Sequence, residues 1–137
     1  MGFLKLLLRN IVAALAGAIL AMVLIAGAEI ITTRIYPAPE GVTIAEAIAT
    51  RPVGAFIAVL IGYFVGIAAG AWLAARISVS RHARQGMMVG VLFFAASLAN
   101  LLKYPHPVWF WVGNLAVVPL AAWLGMHFGE PDERPLD

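Results

Sequence analysis

The chain contains no cysteine, and only 12% of its 137 residues are charged. Without thiols it can form neither disulfides nor thiolate metal sites, and thiol catalysis is excluded. The low charge accompanies a hydrophobic fraction of 63%, which lies outside the range of soluble globular domains. The basic residues form no extended stripe, so nucleic-acid binding is not supported. The sequence also lacks a nucleophile–base pair and a cluster of metal ligands. We therefore expect a membrane protein that is not an enzyme and that holds no metal or cofactor.

Four apolar stretches are long enough to cross a bilayer, whose hydrocarbon core of about 30 Å requires roughly 20 helical residues. They cover residues 11–35, 53–77, 85–103 and 107–128. The connections between them are short, which favours antiparallel neighbours. The sequence predicts an all-α fold class: a single domain forming an integral membrane bundle of four transmembrane helices, followed by a charged cytoplasmic tail at 129–137.

A fifth, shorter helix is predicted between the first two spans, over residues 43–50. Pro37 and Pro39 end the preceding helix because proline cannot continue it. Thr43 and Glu46 then have the spacing of a capping box, in which each side chain bonds the backbone of the other. We expect this helix to lie on the outer surface of the membrane.

The second span carries small residues at every fourth position, which places them on one narrow strip of an α-helix. Such a strip lets another helix approach almost to backbone contact, and it is typical of packing between membrane helices. The first span has a matching strip at Ala13, Gly17 and Ala21. We expect the two strips to pack together. The helix-packing residues of the second span are Gly54, Ala58, Gly62, Gly66, Gly70 and Ala74.

The distribution of lysine and arginine predicts that both termini are cytoplasmic. With that orientation, six basic residues lie inside (Lys5, Arg9, Arg76, Arg81, Arg84 and Arg134) and three lie outside (Arg34, Arg51 and Lys103). The first span could alternatively be a signal peptide, since Ala26, Gly27 and Ala28 resemble a cleavage site. Its apolar run is longer than such a peptide requires, which favours a retained helix.

Polar residues near the outer ends of the helices form the candidate functional site. Glu29 lies inside the first span, where ionisable groups are costly and usually face the bundle interior or a hydrated cavity. It could bind a proton or cation, or form a structural ion pair with Arg34 or Arg51. Both roles stay open. We expect an outward-facing polar pocket formed by Glu29, Arg34, Asn100, His106 and Asn114.

Each of the other polar side chains also has an ordinary structural interpretation. Asn100 and Asn114 can simply join helices through amide hydrogen bonds, which contribute about 1 kcal/mol in membranes. His106, between two prolines, can relay protons near neutral pH or merely be solvated. A haem held by His82 and His127 is conceivable, but neither histidine is well inside a helix. Tyr63 is expected to serve packing.

Several of these residues together resemble a known type of protein. The spacing of Glu29, Tyr36-Pro37, Ala74-Ala75-Arg76, Asn100 and residues 105–110 is similar to that of a group of small uncharacterised bacterial four-helix inner-membrane proteins. The resemblance covers most of the chain. It implies a bacterial inner-membrane location and supplies no activity.

Two functions follow as hypotheses. The first is a structural or accessory membrane protein whose small-residue strips pack helices in the bundle and against a partner. The alternative is an oligomeric small-solute or proton-coupled transporter or channel that uses Glu29. The expected surroundings are the lipid bilayer, and the expected partner is a second copy or another membrane protein.

Overall fold

The computed structural model describes residues 2–132 and consists of helices joined by short connections. Four of its helices are long and apolar enough to cross a membrane, which makes the chain a multi-pass membrane protein and confirms the all-α bundle. Residues 133–137 of the predicted tail, including Arg134, lie outside the described residues. The helices are α1 (Phe3–Ile35), α2 (Ile44–Ala49), α3 (Val53–Ile77), α4 (His82–Lys103) and α5 (Val108–Gly129).

Two helices begin earlier than the hydropathy pattern predicts. α1 starts at Phe3 instead of residue 11, because no helix breaker separates the leucine-rich start of the chain from the apolar span. Its 33 residues would extend about 50 Å, which exceeds the hydrocarbon thickness of a bilayer. α4 starts at His82 instead of residue 85, directly after Arg81 adopts a left-handed conformation with φ of 52°. Each helix therefore continues beyond its predicted span into a segment that contains charged residues.

The short helix α2 follows the predicted capping pattern, which is confirmed in both directions. The backbone N–H of Glu46 donates to Thr43 Oγ1 at 3.3 Å, and the backbone N–H of Thr43 donates to Glu46 Oε2 at 2.7 Å. The Thr43 hydroxyl donates to the same carboxylate oxygen at 3.0 Å. These bonds to the charged form lower the pKa of Glu46, with the backbone bond contributing most.

The helix α3 lies at the centre of the bundle. It contacts α1, α4 and α5, whereas α1 and α5 do not contact each other among the described residues. α4 touches the other three long helices and closes one side of the bundle. The chain thus buries its second span most completely and leaves α1 and α5 on opposite sides of it.

The contact between α1 and α3 runs along the small residues of both helices. A Cβ added to Gly62 would lie 2.7 Å from Ala28 Cβ, and one added to Gly66 would lie 3.0 Å from the carbonyl oxygen of Ala21. Nearer the α3–α4 turn, Gly17 and Gly70 face each other so closely that neither could carry a Cβ without displacing the other's backbone. We call this contact the α1–α3 seam, and it is closed to any larger side chain at these positions.

Glycines also close the packing of α5 against α3. A Cβ on Gly129 would lie 2.5 Å from the carbonyl oxygen of Trp72, and one on Gly125 would collide with the carbonyl of Ala68. Larger side chains fill the space farther along the bundle, where Phe56, Leu101 and Phe110 form a buried cluster with Val59. A second cluster, of Ile67, Val118, Ala121 and Ala122, continues the core toward the α3–α4 turn.

One end of the bundle, here called the turn end, is held together by Asn10. Its Oδ1 accepts hydrogen bonds from the backbone N–H groups of Val79 (3.1 Å) and Ser80 (3.4 Å), and its Nδ2 donates to Ser80 Oγ at 2.9 Å. The start of α1 therefore clamps the α3–α4 turn. The end of α5 is also at this end, since His127 and His82 line one cavity. The opposite end, which carries α2 and the α4–α5 connection, is called the α2 end.

Candidate functional site

The central polar contact at the α2 end is an ion pair between Glu29 and Arg51. Arg51 Nη2 donates to Glu29 Oε1 at 2.8 Å. The Arg51 side chain is only 16% exposed, whereas the Glu29 side chain is 45% exposed. The pair joins α1 to the connection between α2 and α3. It therefore fixes that connection against the bundle and also partly neutralises a largely covered guanidinium.

Arg34, the other arginine considered as a partner of Glu29, does not take part in this pair. Arg34 is exposed, and it forms no ion pair with any other residue in the described range. It lies five residue steps after Glu29, which rotates it by about 140° around the helix axis, because each step turns by about 100°. The two side chains consequently leave α1 in different directions. Arg51, one of the two partners considered from the sequence, is the arginine that pairs with Glu29.

The local backbone explains why Arg51 reaches Glu29. α2 ends at Ala49, and the Arg51 N–H donates to the Ile48 carbonyl at 3.2 Å, which turns the chain back toward the bundle. Pro52 follows as the N-cap of α3, so the extended backbone that precedes a proline places Arg51 at the mouth of the bundle. The capped α2 helix thus presents the arginine to α1.

His106 is fixed in the α4–α5 connection by one hydrogen bond and one stacked ring. Its Nδ1 lies 2.9 Å from the Tyr104 carbonyl oxygen, and its ring stacks on Phe110 with centroids 5.1 Å apart. His106 and Arg51 line a common cavity of about 370 Å³, together with Phe56 and Trp109. The structure therefore connects His106 to the Glu29–Arg51 pair through this cavity, which we call the α2-end cavity.

The two asparagines do not join the α2-end cavity. Asn100 is half-buried in the last turn of α4, and its carbonyl accepts the Tyr104 N–H at 3.2 Å. Asn114 is fully buried in the core, and neither atom of its side-chain amide has a hydrogen-bond partner in the described part of the chain. The polar groups expected near the outer ends of the helices therefore do not all line this cavity.

Tyr63 lines a small cavity of about 170 Å³ in the middle of the bundle, beside Ser97 of α4. Ser97 was not singled out from the sequence, and its hydroxyl donates to the Phe94 carbonyl at 3.1 Å. A single serine in an apolar helix gives no signal beyond that local bond. The Tyr63 ring packs against both core clusters, in agreement with a packing role.

Groups that could hold a metal are not found among residues 2–132: no three histidine, aspartate or glutamate side chains converge. His82 Nδ1 lies 2.8 Å from Ser78 Oγ and 2.9 Å from the Ala75 carbonyl oxygen, so this ring nitrogen is already engaged. His127 is stacked on Trp123 with centroids 5.5 Å apart. Both histidines serve local packing at the turn end.

No family of known proteins matches the chain, and neither a curated protein nor a solved structure matches it. Its function is therefore argued from its own residues.

Proposed function

We propose that the protein is a structural or accessory component of a bacterial inner membrane, without enzymatic activity, that packs against another membrane protein or a second copy of itself. The resemblance to small bacterial four-helix membrane proteins agrees with this location. The role requires a bundle that keeps its shape while its outer faces contact other proteins.

The closed α1–α3 seam is the observation that carries this proposal. Gly17, Gly66 and Gly70 have no room for even one added carbon, so α1 cannot slide or separate without losing backbone-level contact. Gly125 and Gly129 impose the same constraint between α5 and α3. Tight packing of this kind holds a membrane bundle together where the hydrophobic effect between helices is absent. It supports a rigid scaffold better than a helix pair that opens and closes.

The polar groups support transport less well than packing. Glu29 is engaged by Arg51, and the α2-end cavity is otherwise lined mainly by apolar side chains and prolines. Asn114, the most deeply buried polar side chain, is not among the residues that line it. A path across the membrane through one subunit would need polar groups in sequence from end to end. The transporter or channel therefore remains the alternative.

The faces available to a partner are the outward sides of α1 and α5, on opposite sides of α3. α1 exposes a row of large apolar side chains that includes Leu15, Ile19 and Val23. α5 exposes Val112 and Leu120. Lipid can cover these faces, and so can the helices of a partner.

The proposed orientation places both termini in the cytoplasm. Gly2 and Glu130, the first and nearly the last described residues, belong to the turn end, where five of the nine lysine and arginine residues lie. This imbalance favours a cytoplasmic turn end by the positive-inside rule.

In-membrane cross-linking combined with native mass spectrometry tests the proposal. A photoreactive residue at position 23 of α1 or position 112 of α5 is expected to capture one defined membrane protein or a second copy. The same assembly should survive in detergent. A monomer without cross-links would contradict the accessory role. A pH-driven solute flux in proteoliposomes that Glu29→Gln abolishes would also contradict it and favour the transporter.

A further inference from the structure

The turn end contains an open cavity at the junction of α3, α4 and α5. Its volume is about 1030 Å³, and three arginines line it: Arg76, Arg81 and Arg84. They come from the last turn of α3, the N-cap of α4 and the first turn of α4. We call this cavity the arginine basin. Guanidinium groups donate paired hydrogen bonds to phosphate oxygens, which makes arginine well suited to bind a phosphate.

An apolar groove lies along the contact between α4 and α5, on the side of the arginine basin that faces the middle of the bundle. It has a volume of about 400 Å³ and runs beside residues 87–94 of α4 and 119–126 of α5. Its floor is narrow because Gly90 lies directly against Ala122. Phe94 and Trp123 form part of its walls. The groove extends over seven residue steps of each helix, or about 10 Å, which is the length of the upper part of an acyl chain in the bilayer.

The basin and the groove follow one another on the same two helices. Residues 82–84 and 127–130 line the basin, and the next turns of α4 and α5 toward the membrane centre line the groove. Trp123 stands between the two and stacks on His127, as tryptophans do at the boundary between headgroups and hydrocarbon. The basin and the groove follow one another in the same order as the headgroup and the acyl chain of a phospholipid within one leaflet.

The charge of the turn end favours an anionic lipid. Two carboxylates, Glu130 and Asp132, also line the basin. Across the described turn end, five lysine and arginine side chains stand against these two carboxylates, a formal excess of three positive charges. The positive end of the α4 helix dipole lies at its first turn, where no acidic residue offsets it. The dipole therefore adds to the positive potential.

We propose that the α4–α5 contact at the turn end binds one anionic phospholipid, whose phosphate is held by Arg76, Arg81 and Arg84 and one of whose acyl chains lies in the groove. Basic pockets between membrane helices are known to bind anionic headgroups in this manner. The site goes beyond the accessory role, because it needs no protein partner.

Lipid titration by native mass spectrometry tests the proposal on the full chain, purified and delipidated in a neutral detergent. The probes are phosphatidylglycerol and phosphatidylcholine with identical acyl chains, and inorganic phosphate. We expect one phosphatidylglycerol to bind at least tenfold more tightly than phosphatidylcholine. Arg84→Gln and Arg76→Gln should each weaken it about fivefold, since each basic residue near a membrane surface contributes about one fivefold step. Equal binding of the two lipids would overturn the proposal.

Two matched controls separate this site from general attraction to the surface. Val91→Phe fills the groove at a side chain that is 64% exposed, whereas Val23→Phe makes the same change at a 62% exposed position on α1. Only Val91→Phe should weaken phosphatidylglycerol binding. Arg9→Gln, at the same end but outside the basin lining, should not affect it. Equal losses for Val91→Phe and Val23→Phe, or for Arg84→Gln and Arg9→Gln, would contradict the site. Full displacement of the lipid by millimolar inorganic phosphate would show a free-phosphate site instead.

Discussion

The α1–α3 seam can be tested at Gly66 by adding a single methyl group. In Gly66→Ala the new Cβ would lie 2.7 Å from Ile25 Cγ1 and 3.0 Å from the Ala21 carbonyl oxygen. The Ile25 side chain can rotate away, but the Ala21 oxygen belongs to the backbone of α1. Relief of the contact therefore requires the backbone of α1 to shift away from α3 by a few tenths of an ångström.

The expected cost follows from two opposing effects. Overpacking a tight interior by one methyl group costs about 1–3 kcal/mol. Alanine also favours a helix over glycine by about 1 kcal/mol, which offsets part of that cost. Gly27→Ala provides the matched control, because Gly27 is also within a helix and a Cβ there meets no atom within 4 Å. The difference between the two variants cancels the helix preference and leaves the packing cost.

The free energy of unfolding of both variants should be measured in mixed micelles by titration with sodium dodecyl sulfate, followed by circular dichroism. We expect Gly66→Ala to be less stable than Gly27→Ala by about 1–3 kcal/mol. Gly66→Leu should prevent folding, whereas Gly27→Leu should fold. Equal stability of the two alanine variants would refute close packing at this seam.

Three further outcomes are expected. A double-mutant cycle of Glu29→Gln and Arg51→Gln should give a coupling of about 0.5–1 kcal/mol in the free energy of unfolding, and no coupling would contradict a stabilising pair. Asn114→Leu should raise that free energy by about 1–2 kcal/mol, because it removes a buried amide without partners, and a decrease would reveal a partner for the amide. Bonds from Thr43 lower the pKa of Glu46, so their stabilisation is complete above the ordinary value of 4.5 and is lost as the pH falls through the lower folded value. Protection against hydrogen exchange across α2, corrected for the intrinsic pH dependence of exchange, should therefore fall only in acid, and Thr43→Ala should lower it at every pH; unchanged protection would contradict the capping box.

The parts of the fold that depend on local pattern could be predicted from the sequence. Hydropathy locates the four spans, and the spacing of Thr43 and Glu46 locates α2 within one residue at each end. The four-residue spacing of Gly62, Gly66 and Gly70 defines a smooth face on α3, and α1 lies against that face. In each case a few neighbouring residues contain the whole signal.

The candidate site could be predicted less well, because its contacts depend on how helices are rotated relative to one another. The sequence offers Arg34 and Arg51 as possible partners of Glu29. Only the path of the chain after α2 brings Arg51 into contact with it. The sequence predicts Asn114 in a polar pocket, whereas the structure buries it in the core, where its amide has no partner among the described residues. The early start of α1 was missed because hydropathy identifies the apolar span and not the helix that continues beyond it.

The most direct test of the proposed bundle is a thiol cross-link between α1 and α3 in native membranes. The chain has no cysteine, so the pair Ala21→Cys and Ala74→Cys introduces the only two thiols. Ala21 and Ala74 share one buried cluster, and the pair leaves the glycines of the seam unchanged. Residues 21 and 74 lie on different tryptic peptides, separated by cleavage after Arg34, so mass spectrometry of unreduced digests identifies a link made by a short thiol-reactive reagent. The pair Ala21→Cys and Gly113→Cys is the control, because α1 and α5 do not touch in the described structure. The bundle predicts a linked peptide for 21 and 74 and none for 21 and 113; a link in the control, or none in the first pair, would contradict it.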